Sequence, residues 1–432
     1  MSAYIRSVST YCRRSIAAKP LLTNSLRYSD GAVLETTLRL PLILHTIQNA
    51  DSDPHDRQGF AHFMLKEIYE QPAVVRTCLA ASLKPDWTTG EQAEIPSSPF
   101  NFILPAAMLA DATQIQIVAC GTSYHAGLVA QHWLEQLAGI STRVRSASEF
   151  VSAPPPLMAN TLTIAVTQSG ETADTLAAVK ASRSQPNASQ SWRLGITNQP
   201  ESSLSAAVDA TLPTLAGTEV GVAATKTFMA QLVVFRCLAL EFAYRRRVLS
   251  AQQVQQAIAA LQALPDQIEA VLQQEHETIQ TVAQTFAAVH ACVVLGRGIN
   301  RAIALEGALK LKETTYIHAE GYAGGEFMHG PIAMLDASVP VIAIAPSGSV
   351  YDPMLANAQK AKTNGAPLIG ITNITEPPDH AVFDYQCTLP PIDEQLSPFL
   401  TVVPLQLLAY TIAVQRGLDV DRPRNITKTL TS

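Results

Sequence analysis

Short apolar runs alternate with helical stretches in two separate parts of the chain. In the first part, residues 114–119, 161–166 and 192–197 have the pattern of buried strands, and helical periodicity follows at 125–137 and 173–182. The second part repeats this pattern, with buried strands predicted at 291–295, 340–345 and 367–372. Strands that alternate with helices predict parallel βαβ crossovers, so each part is expected to be a sheet covered on both faces.

The two parts are copies of one strand–loop–helix unit. Val118-Ala-Cys-Gly121 aligns with Val294-Leu-Gly-Arg297. Two later matches keep the order and the spacing, and they pair 165–170 with 343–348 and 196–198 with 371–373. The three separations are 176, 178 and 175 residues. Three matches at a nearly constant separation predict an α/β fold with two tandem domains, each a parallel sheet between two layers of helices.

The remaining segments set the predicted domain boundaries. Residues 1–58 show no sustained periodicity and are expected to be a poorly ordered leader or remnant; the first 29 are basic and serine-rich, as in a transit peptide. Residues 59–99 are predicted to be a linker and a helix at 61–81 that Pro72 interrupts. The other predicted segments are a first domain at 100–248, connecting helices at 249–288, a second domain at 289–417 and a tail at 418–432.

The composition is that of an ordinary globular protein. Hydrophobic residues make up 47% and charged residues 15%, and the net charge of −6 argues against a nucleic-acid partner. The absence of a run of 18 apolar residues argues against a membrane span. The six cysteines form no CxxC pair, so we expect reduced thiols and a cytoplasmic location. The sequence predicts no metal site and no organic cofactor.

Two hydroxyl-rich loops follow neighbouring predicted strands. Cys120-Gly-Thr-Ser123 follows the first strand, and Thr167-Gln-Ser-Gly-Glu-Thr172 follows the second. Serine and threonine are common helix N-caps, so either loop alone could be a simple cap. Together, at adjacent strand ends and at the N-termini of helices, they predict one site for a phosphate group. Neither loop is a Walker P-loop.

The second copy carries a charged helix instead. Glu306, Lys310 and Glu313 stand at i, i+4 and i+7 on one predicted helical face. A solvated stripe of ion pairs is the alternative to a catalytic role. The segment 318–330 contains two histidines, two acids and several glycines, and it is expected to be a long functional loop.

Several motifs stand in a fixed order along the chain. They are Cys120-Gly-Thr-Ser123, Thr167-Gln-Ser-Gly-Glu-Thr-Ala-Asp174, Gly217-Thr-Glu-Val-Gly-Val222, the 306–313 helix, the 318–330 segment, and Asp421-Arg-Pro-Arg-Asn425 followed by Lys428. In this order they resemble the sugar-isomerase (SIS) half of the glucosamine-6-phosphate synthase family. The similarity runs from residue 59 to the C-terminus and includes Lys66-Glu-Ile-Tyr-Glu-Gln-Pro72.

The resemblance implies a role for each matching residue. Lys428 would form a Schiff base with the C2 carbonyl of fructose 6-phosphate, and Glu313 would move a proton between C1 and C2. His329, from a neighbouring subunit of a homodimer with shared sites, would open the sugar ring, while Glu306 and Lys310 tune the site. The residues implied in binding the substrate and its phosphate are Thr122, Ser123, Thr167, Gln168, Ser169, Thr172, Val222 and Thr427.

The sequence also departs from this family. The family begins with a glutaminase whose nucleophilic cysteine follows the initiator methionine, whereas Ser2 stands here and the first cysteine is Cys12. Residues 1–58 contain no glutaminase motif, so glutamine hydrolysis is not expected. Thr167 replaces a usual serine, and Thr427 a usual alanine. A phosphosugar deaminase or deglycase, and a non-catalytic phosphosugar-binding protein, remain alternatives to a phosphosugar isomerase/aminotransferase.

Overall fold

The computed structural model describes residues 56–84, 87, 98–286, 288–374 and 382–428. The predictions for residues 1–55 and for most of 85–97 lie outside the described residues. The helices of the described chain are α1 Phe63–Tyr69, α2 Gln71–Ser82, α3 Ala106–Asp111, α4 Gly121–Ala138, α5 Ala147–Ser152, α6 Ala173–Arg183, α7 Ser203–Ala207, α8 Lys226–Arg245, α9 Ala251–Gln274, α10 His276–Thr285, α11 Asn300–Thr315, α12 Gly324–Phe327, α13 Tyr351–Thr363 and α14 Ser397–Gln415.

The strands form two parallel sheets of five. The first sheet contains β1 Gln114–Ala119, β2 Ser141–Ser146, β3 Thr161–Val166, β4 Trp192–Thr197 and β5 Ala210–Pro213. The second contains β6 Ala291–Gly296, β7 His318–Ala323, β8 Val341–Ile344, β9 Leu368–Thr372 and β10 Tyr385–Thr388. The strand orders are β2-β1-β3-β4-β5 and β10-β9-β8-β6-β7, which are the same order read from opposite ends. The predicted duplication and tandem α/β fold are therefore confirmed.

Two long helices form much of the core. Helices α8 and α14 are apolar and long enough to cross a membrane, yet 94% of the apolar window of each is buried inside the protein. Helix α8 packs on α4, α14 packs on α11, and α4 also packs on α11. Trp133 of α4 stacks on Phe399 of α14 with ring centroids 5.7 Å apart. This packing brings the charged helix of the second half against the loop-bearing helix of the first.

The fully buried strands match the predicted positions to within one residue at each end. The predicted helix at 61–81 is two helices, because Pro72 occupies the first turn of α2 and α1 ends before it. The predicted loop at 318–330 is wrong: it contains β7 and the short helix α12. Strand β7 lies at a sheet edge and carries glycine and charged residues, so it lacks the apolar signal of a central strand.

Candidate active site

The two hydroxyl-rich loops lie side by side at the carboxyl ends of β1 and β3, which pair in parallel. Helix α4 begins at Gly121, and α6 begins directly after the second loop. Gly170 adopts φ +72, and a Cβ there would lie 2.0 Å from the Ser202 hydroxyl, so only glycine fits this turn. Parallel strand ends and two helix N-termini thus meet at one point, the arrangement in which open sheets bind anions.

The hydroxyl groups of these loops surround a small cavity. Thr167 and Thr172 share a hydrogen bond of 2.6 Å between their hydroxyls, and Gln231 donates to the Ser123 hydroxyl at 2.9 Å. The cavity has a volume of about 120 Å³ and is lined by Cys120, Thr122, Ser123, Val166, Thr167, Gln168, Ser169, Thr172 and Lys428. An amine from the C-terminal tail therefore meets the predicted phosphate-binding loops, although more than 250 residues of sequence separate them.

The Lys428 amine is held by two acceptors from one loop. Its Nζ donates to Glu219 Oε2 at 2.7 Å and to the Gly221 carbonyl at 2.5 Å. Glu219 also accepts from the main-chain N–H groups of Thr225 and Thr227, at the N-terminus of α8. Burial would raise the pKa of Glu219, but the Lys428 charge and these donors lower it below its usual value. The amine thus lies against a carboxylate whose lowered pKa favours the charged form.

The charged helix α11 is buried and is not a solvated stripe. Glu306 and Lys310 are both 0% exposed, and their side chains are 3.5 Å apart. Lys310 also contacts Glu313 at 2.5 Å, and Glu306 binds the His125 ring nitrogen Nδ1 at 2.7 Å. This charge network lies between the two domains, because His125 belongs to α4 and the other three residues to α11.

Electrostatics fixes the protonation of this buried pair. Burial alone would raise the pKa of Glu306, but the Lys310 charge and the bonds from His125 and Thr122 lower it. Burial would lower the pKa of Lys310, whereas Glu313 and Glu306 raise it. Glu306 and Lys310 therefore stay charged. Glu313, with its side chain 22% exposed, is the most exposed member of the network.

One hydroxyl joins the cavity to the charge network. Thr122 Oγ1 donates to Glu306 Oε1 at 3.1 Å and accepts from Lys310 Nζ at 3.2 Å. The same residue lines the cavity. The structure thus connects two predicted groups of residues, the hydroxyl loops and the charged helix, through a single side chain.

Three predicted site residues lie apart from these contacts. His329 is exposed and does not line the cavity. Val222 is half-buried, and its N–H donates to the Asp421 carbonyl at 3.2 Å, so it contributes to the loop that holds Lys428. Thr427 is exposed next to Lys428. Within one chain, the contacts described above therefore join the predicted site residues other than His329 and Thr427, and Thr427 lies beside Lys428 in the sequence.

The sequence reasoning missed three contributors to the site, which are Glu67, Glu219 and His125. Glu219 and Glu67 lie inside motifs that carry the family resemblance, and that was the available signal for them. His125 follows the first hydroxyl loop by two residues, but its partner Glu306 lies 181 residues further along the chain. Such long-range pairs leave no local pattern in a sequence.

The corresponding edge of the second sheet holds one of the protein's own carboxylates. Glu394 accepts hydrogen bonds from the Ser349 N–H at 2.6 Å and the Ser349 hydroxyl at 3.1 Å. A Cβ on Gly348 would lie 2.3 Å from Glu394 Oε2, so this glycine allows the close approach. Gly348 is the counterpart of Gly170 in the duplication. In the second domain, this loop is therefore bonded to a side chain of the chain itself.

A larger cleft of about 560 Å³ lies at the opposite ends of β3 and β4. Its arginines are already bonded within the protein: Arg183 to the Ala207 carbonyl and Asp209, and Arg193 to the carbonyls of Ala188, Ser191 and Ser182. These bonds make the cleft a weaker candidate than the hydroxyl-lined cavity. Among the described residues, no group of three or more His, Cys, Asp or Glu side chains could hold a metal ion.

Two tandem parallel sheets flanked by helices, with hydroxyl-rich loops at the carboxyl ends of the strands, define a class of α/β domain. The SIS-domain model matches residues 108–241 and 285–416, so the chain belongs to the SIS-domain family. Among its relatives, the chain is 53% identical over 381 residues to a glutamine–fructose-6-phosphate aminotransferase (isomerizing) from Synechocystis sp., covering 87% of this chain. A relative of the same name from Thermosynechococcus vestitus is 53% identical over 380 residues, also covering 87% of this chain.

A solved structure is similar over the same region. The C-terminal domain of glucosamine–fructose-6-phosphate aminotransferase from Francisella tularensis superposes with a TM-score of 0.77 at 36% identity, and the match covers 85% of this chain and 100% of that one. The chain spans 60% of the length of the two curated relatives. The similarity therefore concerns their sugar-isomerase part.

Proposed function

We propose that this chain carries out the isomerase/aminotransferase chemistry of its relatives on fructose 6-phosphate. The observation that carries the proposal is the cavity in which the Lys428 amine meets the hydroxyls of the two loops. A phosphate there would accept hydrogen bonds from the hydroxyls of Ser123, Thr167, Ser169 and Thr172, and the helix dipoles of α4 and α6 would stabilise its charge. Anchoring the phosphate places the rest of the sugar towards Lys428.

Lys428 is proposed as the nucleophile. After losing a proton to water, its amine would add to the C2 carbonyl of the open-chain ketose, and loss of water would leave an imine that makes the C1 protons more acidic. Glu313 would move a proton from C1 to C2. On the open-chain ketone, free of the lysine, this transfer passes through an enediol and converts the ketose into an aldose. If ammonia displaces the lysine at C2 before this transfer, the product is the 2-amino aldose phosphate. The buried Lys310 and Glu306 would hold Glu313 in position.

His329 is proposed to act in the site of a second copy of the chain. It is exposed, lies on the segment after β7, and is not among the residues that line the cavity of its own chain. An exposed imidazole on a surface segment is available to a neighbouring subunit, where it could move the proton that opens the sugar ring. We therefore also propose a homodimer with shared sites, and a cytoplasmic location in keeping with a metabolic role.

Incubation with fructose 6-phosphate, with and without ammonium, tests the proposal. We expect glucose 6-phosphate without ammonium and glucosamine 6-phosphate with it. Borohydride should trap the sugar on Lys428, as located by peptide mass spectrometry, and Lys428→Ala should give no adduct. Neither product, or an adduct on another lysine of an active protein, would refute the proposed chemistry. Exposed Lys180 of α6 offers a matched control, and Lys180→Ala should behave like the parent.

A further inference from the structure

Helix α1 contacts the candidate site although it lies outside both SIS matches. Those matches begin at residue 108, and α1 spans Phe63–Tyr69. Its side chain Glu67 is 2% exposed and points at the loop of residues 219–222, which we name the lysine loop because it holds Lys428. A helix outside the catalytic domains thus presents a buried carboxyl group to the element that fixes the proposed nucleophile.

Glu67 binds the main chain of the lysine loop through both of its oxygens. Oε1 accepts from the N–H groups of Val220 and Gly221, and Oε2 lies 3.2 Å from the Gly221 N–H. A Cβ on Gly221 would lie 2.8 Å from Glu67 Oε2, so the glycine allows the carboxyl group to approach this closely. The contact depends on both residue types: a carboxyl group on α1 and a glycine in the lysine loop.

The same peptide segment holds the Lys428 amine on its other side. The Gly221 N–H donates to Glu67, and the Gly221 carbonyl accepts from Lys428 Nζ. Glu219, the second acceptor for Lys428, lies two residues earlier in the lysine loop. Glu67 therefore bonds to the peptide that carries one acceptor of the amine, and this peptide lies two residues from the other acceptor, Glu219.

Helix α1 also holds the tail that carries Lys428. The Asp421 carboxylate accepts from the N–H groups of Phe63 and Met64 at 3.0 and 2.9 Å, which caps the N-terminus of α1. The Asp421 carbonyl accepts from the Val222 N–H at the end of the lysine loop. The helix, the loop and the tail are thus joined pairwise.

Burying the Glu67 carboxyl group costs free energy of hydration, which hydrogen bonds to the lysine loop offset. Among the described residues Glu67 has no ion pair, and its hydrogen bonds there all come from main-chain N–H groups. Burial and the neighbouring Glu219 charge raise the pKa of Glu67 to about 8, so the carboxyl group is largely protonated at neutral pH. A neutral carboxyl group keeps its acceptor oxygen without adding a second negative charge beside Glu219.

We propose that Glu67 is a positioning residue for Lys428: through the Val220 and Gly221 peptides it holds the lysine loop so that the amine points into the hydroxyl-lined cavity. The consequence for turnover rests on the proposed function, in which Lys428 attacks the sugar. The positioning itself does not, because it concerns the placement of an amine that the structure already shows.

Steady-state kinetics of variants test the effect on turnover. Glu67→Ala removes the acceptor and should lower kcat about tenfold or more with little change in KM, because the phosphate loops are untouched. Glu67→Gln copies the neutral carboxyl group and should retain most of the parent kcat at pH 7. Val75→Ala, which truncates a fully buried side chain on α2, controls for a general loss of stability. It should keep kcat near the parent value.

Competitive labelling of lysines separates the two proposals. The protein without sugar is treated with trace acetic anhydride, and the modification of Lys428 is measured relative to exposed Lys180. In Glu67→Ala the Lys428:Lys180 ratio should rise about threefold or more, because an amine released from its two acceptors is freer to react. In Glu67→Gln and Val75→Ala the ratio should stay at the parent value.

The outcomes are distinct. An unchanged ratio in folded Glu67→Ala overturns the positioning role, whatever the kinetics give. A raised ratio in Glu67→Ala supports the positioning role. If the parent protein at the same time traps no fructose 6-phosphate, the proposed function is refuted while the positioning role stands. If the ratio rises equally in Val75→Ala, the effect is general loosening and the positioning role is also overturned.

Discussion

At the residue scale, the Thr122 hydroxyl links the cavity to the buried charge network. It lines the cavity, donates to Glu306 and accepts from Lys310, and both of those groups are fully buried. A hydroxyl is suited to this place because it can donate and accept at once. Neither a methyl group nor a carboxylate could satisfy both neighbours.

Removing this hydroxyl should therefore weaken catalysis. We expect Thr122→Val to lower kcat/KM by about tenfold or more, because two buried charges each lose a hydrogen bond. Thr122→Ser keeps the hydroxyl and should retain most of the activity. Steady-state assays with fructose 6-phosphate measure both variants. Equal activity in Thr122→Val and the parent would show that the hydrogen bonds of the Thr122 hydroxyl to Glu306 and Lys310 do not contribute to catalysis.

The phosphate loops give a prediction about substrate affinity. Ser169→Ala should raise the KM for fructose 6-phosphate by about tenfold, the usual loss for one hydrogen bond to a charged group, with a smaller effect on kcat. Ser184→Ala, at an exposed position beyond α6, is the matched control and should leave KM unchanged. A kcat loss at unchanged KM would argue against phosphate binding at this loop.

The raised pKa of Glu67 predicts how stability changes with pH. The folded protein binds this proton more tightly than the unfolded chain, whose carboxyl group has the ordinary pKa of 4.5. The contribution of Glu67 to stability is therefore full below pH 4.5 and is lost as the pH rises through about 8. Glu219, Lys428 and Lys226 are the charged groups that influence it.

Thermal unfolding of Glu67→Gln measures this dependence. The amide does not ionise, so the variant should gain in Tm relative to the parent between pH 6 and pH 9. Glu277→Gln on α10 is a suitable comparison, because Glu277 lies on another helix and has no contact with the lysine loop among those recorded for the described chain. Parallel pH curves for Glu67→Gln and the parent would mean that Glu67 is ionised over the whole range.

At the element scale, close contact between α11 and α14 fixes the charged helix. A Cβ on Gly307 would lie 2.7 Å from Leu405 Cδ1, so the two helices touch through a glycine on one side and a leucine on the other. Gly307 directly follows Glu306 in α11. The packing of α14 therefore helps to set the position of the buried charges.

This contact predicts a compensating pair of substitutions. Gly307→Ala should destabilise the protein by about 1–3 kcal/mol through overpacking, despite the better helix propensity of alanine. Leu405→Ala also destabilises on its own, by about 2–5 kcal/mol. In the double variant the new methyl group finds room, so the combined loss should be smaller than the sum. Denaturant unfolding of the four proteins measures the coupling, and additive losses would contradict it.

The elements that the sequence predicted well are those with the strongest burial. Every residue of β3 is buried, and its limits agree with the prediction. Strand β2 reads Ser-Thr-Arg-Val-Arg-Ser and has only one buried residue, because it lies at the edge of its sheet. Edge strands pair on one side only and tolerate polar side chains, so their sequences lack the apolar run that reveals a central strand.

At the scale of the whole molecule, the site draws on both domains and on segments beyond them. Helix α4 of the first half carries Thr122 and His125, α11 of the second carries Glu306, and the tail carries Lys428. The hydroxyl loops were predictable because two local motifs end adjacent strands. The pairing of Glu67 with Gly221 was not, because it joins residues 154 positions apart that only the folded chain brings together.

Subunit mixing tests the proposed sharing of the site. His329→Ala and Lys428→Ala should each be inactive alone. After subunit exchange, a mixed dimer has one site with both intact groups, so an equal mixture should recover about a quarter of the parent activity. A mixture that stays inactive would place His329 in the site of its own chain, whereas activity of His329→Ala alone would place His329 outside the reaction.

The cap on α1 has a consequence for the order in which the protein assembles. Asp421 bonds to the first residues of α1 across a sequence separation of 357 residues or more. We therefore expect this cap to form only after both sheets have folded. The amine seven residues after Asp421 is therefore among the last groups to find its place. A nascent or partly unfolded chain exposes only an ordinary lysine there, so the reactivity towards sugars that we propose for Lys428 would arise only with the completed fold.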